Sequence, residues 1–294
     1  KPRMLVAEGD EVGLGLPLFV DKRDPSVPYT SPGRGRVVAI NRGARRVLES
    51  VVIRLGDSSV EDLSFEPLDD EALGNLDRDR VKERLRQSGL WTLFRTRPFS
   101  RVPFSNSTPR AIFVTAIDTR PLAPNPVVVL AGEEQAFADG LGVLRLLTDK
   151  QVYLCTAPDW DIHLPPVDGV QRAEFSGPHP AGLAGTHIHF LSPVGADRTV
   201  WHIGYQDVLS IGKLFRQGVI DNHRVVALGG ACVARPRLLA TRRGASTDEL
   251  TDGEITCTGS ERISGGCVLD GRTASGGLAY LGRYQQQVSV IREG

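Results

Sequence analysis

The chain is short of cysteine, of long apolar runs and of any charge imbalance, and each shortage removes a class of function. Its 294 residues hold four cysteines, Cys155, Cys232, Cys257 and Cys267, widely spaced and forming no C-x-x-C pair. This argues against a zinc ribbon or an iron–sulfur cluster, and the four are expected to be reduced thiols of a cytosolic protein. Lys plus Arg number 35 and Asp plus Glu number 35, a formal net charge of +0. No global basic field attracts a phosphate backbone, so no nucleic-acid partner is expected. The longest apolar stretches, such as Val127 to Ala131 and Val225 to Leu228, are broken by charge or glycine. None reaches the roughly 18 residues of a membrane span, and the chain is not expected to cross a membrane by itself. A G-x-S-x-G elbow is missing, and Cys155 and Cys232 have no histidine neighbour in sequence, which leaves hydrolase chemistry without support. Fixed-period repeats and low-complexity tracts are missing as well. Lys1 is not an initiator methionine and no charged-then-apolar pattern follows it, so targeting is not read from this terminus.

What is present reads as two or three domains, each with enough apolar residues for its own core. To about Leu55, short β-branched runs such as Pro17 to Val20 and Gly35 to Ile40 alternate with glycine and proline, the pattern of a small all-β sandwich. An acidic, Leu-rich connector follows from Glu61 to Arg86, where Asp77 suits the N-cap of a helix carrying Val81 and Leu85 on one face. Ile112 to Ala116 reads as a buried strand and Val127 to Leu147 as one amphipathic helix with Leu130, Phe137, Leu141 and Leu144 on its apolar side. Strands at Val152 to Cys155, Val170 to Phe175 and Val200 to Ile203, with a helix from Gln206 to Arg216, complete a mostly parallel, covered sheet. After Gly218, strands at Arg224 to Leu228, Arg237 to Ala240, Arg262–Ile263 and Val288 to Ile291, and a short helix at Thr247 to Leu250, make a small α+β unit.

Several segments resemble the A-type subunits of the bacterial sodium-translocating NADH:quinone oxidoreductases (Na+-NQR). They are Ser88 to Thr92, Arg95 to Ser100, Ile112 to Thr119, Gly177 to Phe190, Tyr205 to Val208 and Gly212 to Phe215, and the similarity runs over essentially the whole chain. The resemblance implies a biotinyl/lipoyl-like β-barrel over 1–60, a connector with helical content over 61–110, a Rossmann-like domain over 111–218 and a β-grasp domain of the soluble-ligand-binding type over 219–294. It also implies a distant likeness to the NADH- and FMN-binding subunit of respiratory complex I, and a longer chain at both ends. Functionally it implies a peripheral accessory subunit on the cytoplasmic face of the inner membrane, which docks on the flavin-bearing membrane subunit of the pump and helps to form or cover the ubiquinone site. NAD, FAD, FMN and the 2Fe-2S cluster are then expected on other subunits. The alternative is a stand-alone small-molecule-binding module with no membrane partner.

Four places carry candidate chemistry. Lys22 follows a strand as the modified lysine of a carrier domain does, but Pro25 and charged neighbours depart from such a tip, and no covalent cofactor is expected there. The turn after the first central strand, Asp118 to Pro124, is rich in proline, which removes the N–H donors of a phosphate cradle, so nucleotide binding is not carried over from the fold. Gly177 to Thr186 could open a helix onto an anion, although turn geometry alone accounts for its Gly and Pro. His187 and His189 would share one face if extended, which supplies two metal ligands and no third; buried, hydrogen-bonded histidines are the plainer reading. No metal and no catalytic residue is therefore assigned. In Phe94, Arg95, Arg97, Phe99 and Arg101, guanidiniums alternate with aromatic rings, a composition that can stack on a planar quinone head and donate to its carbonyls. A clamp between domains would use the same residues. The resemblance favours quinone.

Overall fold

Alternating apolar residues with Gly/Pro turns build the first unit of the computed structural model, which describes residues 2–195 and 197–293. Strands β1 (Pro2–Met4), β2 (Glu11–Val12), β3 (Pro17–Asp21), β4 (Asp24–Thr30), β5 (Gly35–Arg42) and β6 (Leu48–Leu55) form two antiparallel three-stranded sheets, ordered β1-β3-β4 and β2-β5-β6. Val12, Leu18 and Val37 close between them as a small core. On β3, Leu18 and Val20 point inward while Phe19 stacks on Tyr29 of β4 at 4.6 Å between centroids. Lys22 stands exposed at the β3–β4 turn.

The connector supplies helices α1 (Asp70–Gly74) and α2 (Arg78–Gln87). As the sequence indicates, Asp77 caps α2 by accepting from the Arg80 amide at 2.8 Å, and Val81 and Leu85, one turn apart, are fully buried. Upstream, the amides of Phe65 and Leu68 donate to the carbonyls of Gly218 and Phe215, which ties the connector to the end of the central domain.

A single 3-10 turn, Leu90–Leu93, leads into the central sheet. Its elements are β7 (Arg95–Arg97), β8 (Ala111–Ala116), α3 (Pro126–Leu130), α4 (Glu134–Leu146), β9 (Gln151–Thr156), β10 (Val170–Glu174), α5 (Ala184–Leu191), β11 (Val200–Gly204) and α6 (Tyr205–Gln217). The order is β10-β9-β8-β11-β7, with every pair parallel except β11–β7. Ile112 and Val114 of β8 face α4 and α6, while Ala111 and Phe113 face α5, so both faces are covered and the strand is apolar throughout. Helices α4 and α6 cross at glycines: a Cβ on Gly212 would lie 1.7 Å from the Ala136 carbonyl oxygen, and one on Gly140 2.2 Å from that of Val208. The expected single helix from Val127 to Leu147 is instead two. Gly132 takes φ +81°, and its amide donates to the Glu134 side chain at 2.9 Å, so the first helix stops and a second one starts.

The third unit holds β12 (His223–Gly229), β13 (Arg237–Arg242), α7 (Thr247–Thr251), β14 (Glu261–Gly265), β15 (Arg272–Thr273) and β16 (Gln287–Arg292). Its sheet is mixed, ordered β13-β12-β16-β14-β15, with β12–β16 the parallel pair. One expectation fails here. Cys232 and Cys257 are joined by a disulfide rather than held as separate thiols, because the bridge between Val233 and Ile255 brings their segments side by side. Closing a loop of 25 residues contributes about 3–4 kcal/mol by the chain-entropy account, a large share for a core of seven buried residues. Cys155 and Cys267 remain free and buried; burial pushes the Cys155 thiol up to about 12, which leaves it unreactive.

Candidate functional site

The segment from Phe94 to Arg101 is a hairpin whose first arm is the edge strand β7. Arg97, Thr96 and Arg95 pair with Val200, Trp201 and His202, and the turn closes where the Thr96 amide donates to the Arg101 carbonyl at 2.7 Å. Strand alternation then sends neighbouring side chains to opposite sides. Phe94 is fully buried, its ring 5.8 Å from that of Trp91 and 5.4 Å from that of Trp201. Arg95 points toward the third domain, lies 4.4 Å over the Tyr284 ring and donates to the Ser100 hydroxyl at 2.9 Å. Arg97 is half-buried, and burial together with Arg95 lowers its guanidinium below the ordinary value. Phe99 is 79% exposed at the tip, with the Arg101 guanidinium 5.7 Å over its ring.

Phe99 and Ser100 both lie in the left-handed region, at φ +76° and +48°. For residues with a Cβ this costs roughly 1–2 kcal/mol each, and Asn-Gly would occupy such a turn with less strain. This turn, adopted despite its cost, carries an aromatic ring out into solvent.

Thr96, on the side opposite the two β7 arginines, borders a cleft of about 440 Å³ between the hairpin and the β3–β4 hairpin of the first domain. Pro98, Phe99 and Arg101 form one wall, Tyr29 and Asp24 the other, and Phe104 lies at the rim, 52% exposed. Asp24 fastens the two walls: its carboxylate accepts from the Ser105 amide at 2.6 Å and from the Ser105 hydroxyl at 3.1 Å. Burial raises the Asp24 carboxyl, but hydrogen bonds from Ser26 and Ser105 outweigh it and hold the group below the ordinary value. Of the five residues singled out in the sequence, Phe99 and Arg101 meet at this cleft, Arg95 and Arg97 face the other way, and Phe94 fills the core. Tyr29, Asp24 and Phe104 escaped sequence reasoning, since Tyr29 and Asp24 come from a hairpin some 70 residues away.

The other candidates resolve into packing. His187 and His189 sit on α5, not on an extended segment, and two residues along a helix turn them to different faces. His187 is buried and pairs through Nε2 with the Ala181 carbonyl at 2.9 Å; burial brings its imidazole down to about 4. His189 is exposed, so the expectation of two buried histidines holds for one of them. In the Gly177 to Thr186 stretch the Gly182 amide donates to the Thr119 hydroxyl at 2.9 Å, and a Cβ there would lie 2.5 Å from the Thr119 nitrogen, so close approach explains that glycine. The proline-rich turn after β8 is anchored to the third domain, with Arg120 bridging Asp118 and Asp270 and the Pro121 carbonyl accepting from Gln287. No group of three or more metal-ligating side chains stands together among the described residues.

Fold and cleft define a multidomain protein, β at one end and α/β in the middle, with cavities where its domains meet. Comparison with known proteins narrows this. Profiles described as the NqrA N-terminal barrel-sandwich hybrid domain, the NqrA second alpha/beta domain and the NQRA C-terminal domain match residues 1–56, 76–220 and 225–276. The A-type subunit of the Na(+)-translocating NADH-quinone reductase of Pseudomonas aeruginosa is 53% identical over 295 residues, and those of Shewanella frigidimarina and Serratia proteamaculans are 54% and 51% identical. Each alignment takes in 100% of this chain, and the chain spans 65% of the length of these relatives. The chain belongs to the NqrA family. An NAD+-reducing [NiFe]-hydrogenase chain superposes with a TM-score of 0.49 at 14% identity, over 74% of this chain and 47% of that one.

Proposed function

We propose that this chain serves as one subunit of a sodium-translocating NADH:quinone reductase and helps to form or cover its quinone site. Support for the assembly comes from the relatives, which carry that name at 51–54% identity across the whole of this chain. The observation that carries the quinone reading is Phe99, held out by a strained turn at the mouth of a 440 Å³ cleft with Arg101 over its ring. A flat neutral ring could stack on Phe99 and Phe104 while Arg101 donates to a carbonyl oxygen. In this reading the central domain is Rossmann-like and the third is a β-grasp domain, consistent with their strand orders. NAD, FAD, FMN and the iron–sulfur cluster belong to other subunits. Among the described residues no helix is long and apolar enough to cross a membrane, in keeping with a peripheral seat beside the flavin-bearing membrane subunit.

Placement on the cytoplasmic face requires Cys232 and Cys257 to be compatible with a reducing compartment, where structural disulfides are uncommon. Alkylation and mass analysis of the protein from its own host decides this: blocked thiols support the cytoplasmic seat, and an intact bridge counts against it. The quinone reading is tested with a photoreactive quinone in the purified complex. Label on peptides holding Tyr29 or Phe99 to Phe104, competed by excess quinone, is expected; competed label confined to other subunits overturns it. The stand-alone binding module remains the second reading, favoured by the cavities at domain junctions. Failure to co-purify with membrane flavoproteins would select it.

A further inference from the structure

The side of the hairpin that carries Arg95 opens on a different cavity. It has a volume of about 250 Å³ and lies between the central and third domains, at the carboxyl ends of β8 and β11. The chain passes from β8 to β9 on one side of the sheet, whereas β11 lies on the other, so the cavity sits at the point where the strand order reverses. Thr115 of β8 and Gly204 at the start of α6 line it, and the Gly204 position has no side-chain cap. The free N–H groups of a helix of 13 residues therefore begin at its wall.

The charges around this cavity do not balance. Arg95, Arg120, Arg224 and Arg283 line it, and Arg243 stands behind them. Asp207 is shared by Arg224 and Arg243, and Arg120 is held between Asp118 and Asp270. Arg95 has a hydroxyl and an aromatic ring but no carboxylate, and Arg283 has neither a hydrogen bond nor an ion pair among the described residues. Arg95 and Arg283 are thus the two guanidiniums of this group with no carboxylate ion-paired to them among the described residues. His202 also lines the cavity, and its Nε2 is enclosed without a hydrogen-bond partner. Burial, with Arg97 and Arg95 beside it, brings that imidazole down to about 3, so it is neutral and adds no charge of its own. Enclosed cations and a polar ring without partners are costly unless something supplies acceptors.

We propose that this cavity binds a small phosphoryl anion carrying about two negative charges, held by Arg95 and Arg283 and by the first amides of α6. Guanidiniums present paired donors that match phosphoryl oxygens, and the two without a carboxylate set the charge of the ligand. At about 30 Å³ per water, the cavity holds about eight waters, enough for phosphate or pyrophosphate but not for a dinucleotide. The proline-rich turn after β8 agrees with this, because the donors here are side chains and a helix end, not a glycine loop. The inference does not rest on the quinone reading, whose cleft lies across the strand.

Isothermal titration of the purified protein with sodium phosphate and with sodium pyrophosphate, at matched ionic strength in chloride, tests the site. Saturable binding of at least one anion is expected. Arg283→Gln and Arg95→Gln should each weaken it about tenfold or more, the loss of one charge-assisted pair, while Arg101→Gln on the quinone side leaves it unchanged. Should Arg283→Gln fail to fold, Arg95→Gln and the unaltered protein decide. No binding of either anion overturns the proposal, as does binding that both arginine substitutions leave intact. Malonate binding in place of both phosphates, with the same arginine dependence, overturns the phosphoryl assignment.

Discussion

The two sides of the hairpin from Phe94 to Arg101 make opposite use of the same residue types. Inward, Phe94 locks against Trp91 and Trp201, and Arg95 stacks on Tyr284 toward an arginine-rich cavity between domains. Outward, Phe99 stands 79% exposed with Arg101 above it, beside an aromatic cleft on the first domain. Composition alone puts five candidates in one site. Position along the hairpin divides them: Phe94 precedes β7 and enters the core, Arg95 and Arg97 share one face of β7, and Phe99 and Arg101 belong to the turn and its return. One hairpin can therefore serve a structural role along its strand and display a ring at its tip.

The largest effect expected from breaking this comparison is on stability. Truncating Phe94 leaves a cavity beside two tryptophan rings, so Phe94→Ala should destabilise by about 3–5 kcal/mol, measured by urea unfolding. Phe99→Ala should stay within about 0.5 kcal/mol, as substitutions of exposed side chains do. Similar losses at both positions would mean that the tip is packed in solution and not displayed.

Second in size is a dependence on pH that belongs to the inner side. His202 and His187 are held neutral, His202 down at about 3 and His187 at about 4, both mainly by burial. Their folded values lie below the unfolded value near 6.5, so between about pH 6.5 and 4 the unfolded chain binds protons that the native one refuses. Stability therefore falls as pH drops through that window, with a slope approaching one proton for each histidine. His202→Gln should flatten the slope by about one proton, while Phe99→Ala leaves it as it is. Denaturation midpoints measured across the window, combined with the unfolding slope, read the difference; an unchanged profile in His202→Gln removes the histidine from the account.

How far this division was legible beforehand depends on the range of the interactions involved. Local patterns were readable: the Asp77 cap with Val81 and Leu85 behind it, the buried strand around Ile112 to Val114, and the helix after Gly204 all follow from neighbours within a turn or two. The break at Gly132 was hidden because apolar periodicity continues across it, and only the Glu134 side chain bonding back to the Gly132 amide marks it. The Cys232–Cys257 pair and the Tyr29 wall of the cleft depend on sheet register and domain docking, which a single sequence does not encode locally. Arg283 offered no signal either: its place beside Arg95 and Arg224 arises only when the third domain meets the second.

A smaller effect separates the two sides by function. If the proposed quinone site is right, Phe99→Ala in the assembled reductase removes a stacking face worth about 0.5–1.5 kcal/mol, so the apparent KM for quinone should rise several-fold with kcat nearly unchanged. Arg101→Ala loses one exposed donor and should give a smaller rise. NADH oxidation by an artificial acceptor should stay normal in both. If either substitution instead releases the protein from the membrane complex, the outer side is an assembly clamp and the quinone reading fails.

The smallest effect tests whether the ring is displayed at a cost. Phe99 sits at φ +76°, where a residue with a Cβ is strained by roughly 1–2 kcal/mol, and alanine inherits that strain while glycine does not. Glycine also widens the unfolded ensemble, which offsets the relief by about 0.4–1 kcal/mol. Phe99→Gly should therefore be more stable than Phe99→Ala by about 0.5–1 kcal/mol, the difference between those terms. Both substitutions remove the ring, so both should raise the quinone KM alike. The paired measurement separates the backbone from the side chain: the stability difference reports the turn, and the shared KM reports the ring. A glycine variant less stable than alanine would show that the tip does not hold a left-handed turn, and with it would go the argument that strain is kept here to hold Phe99 out.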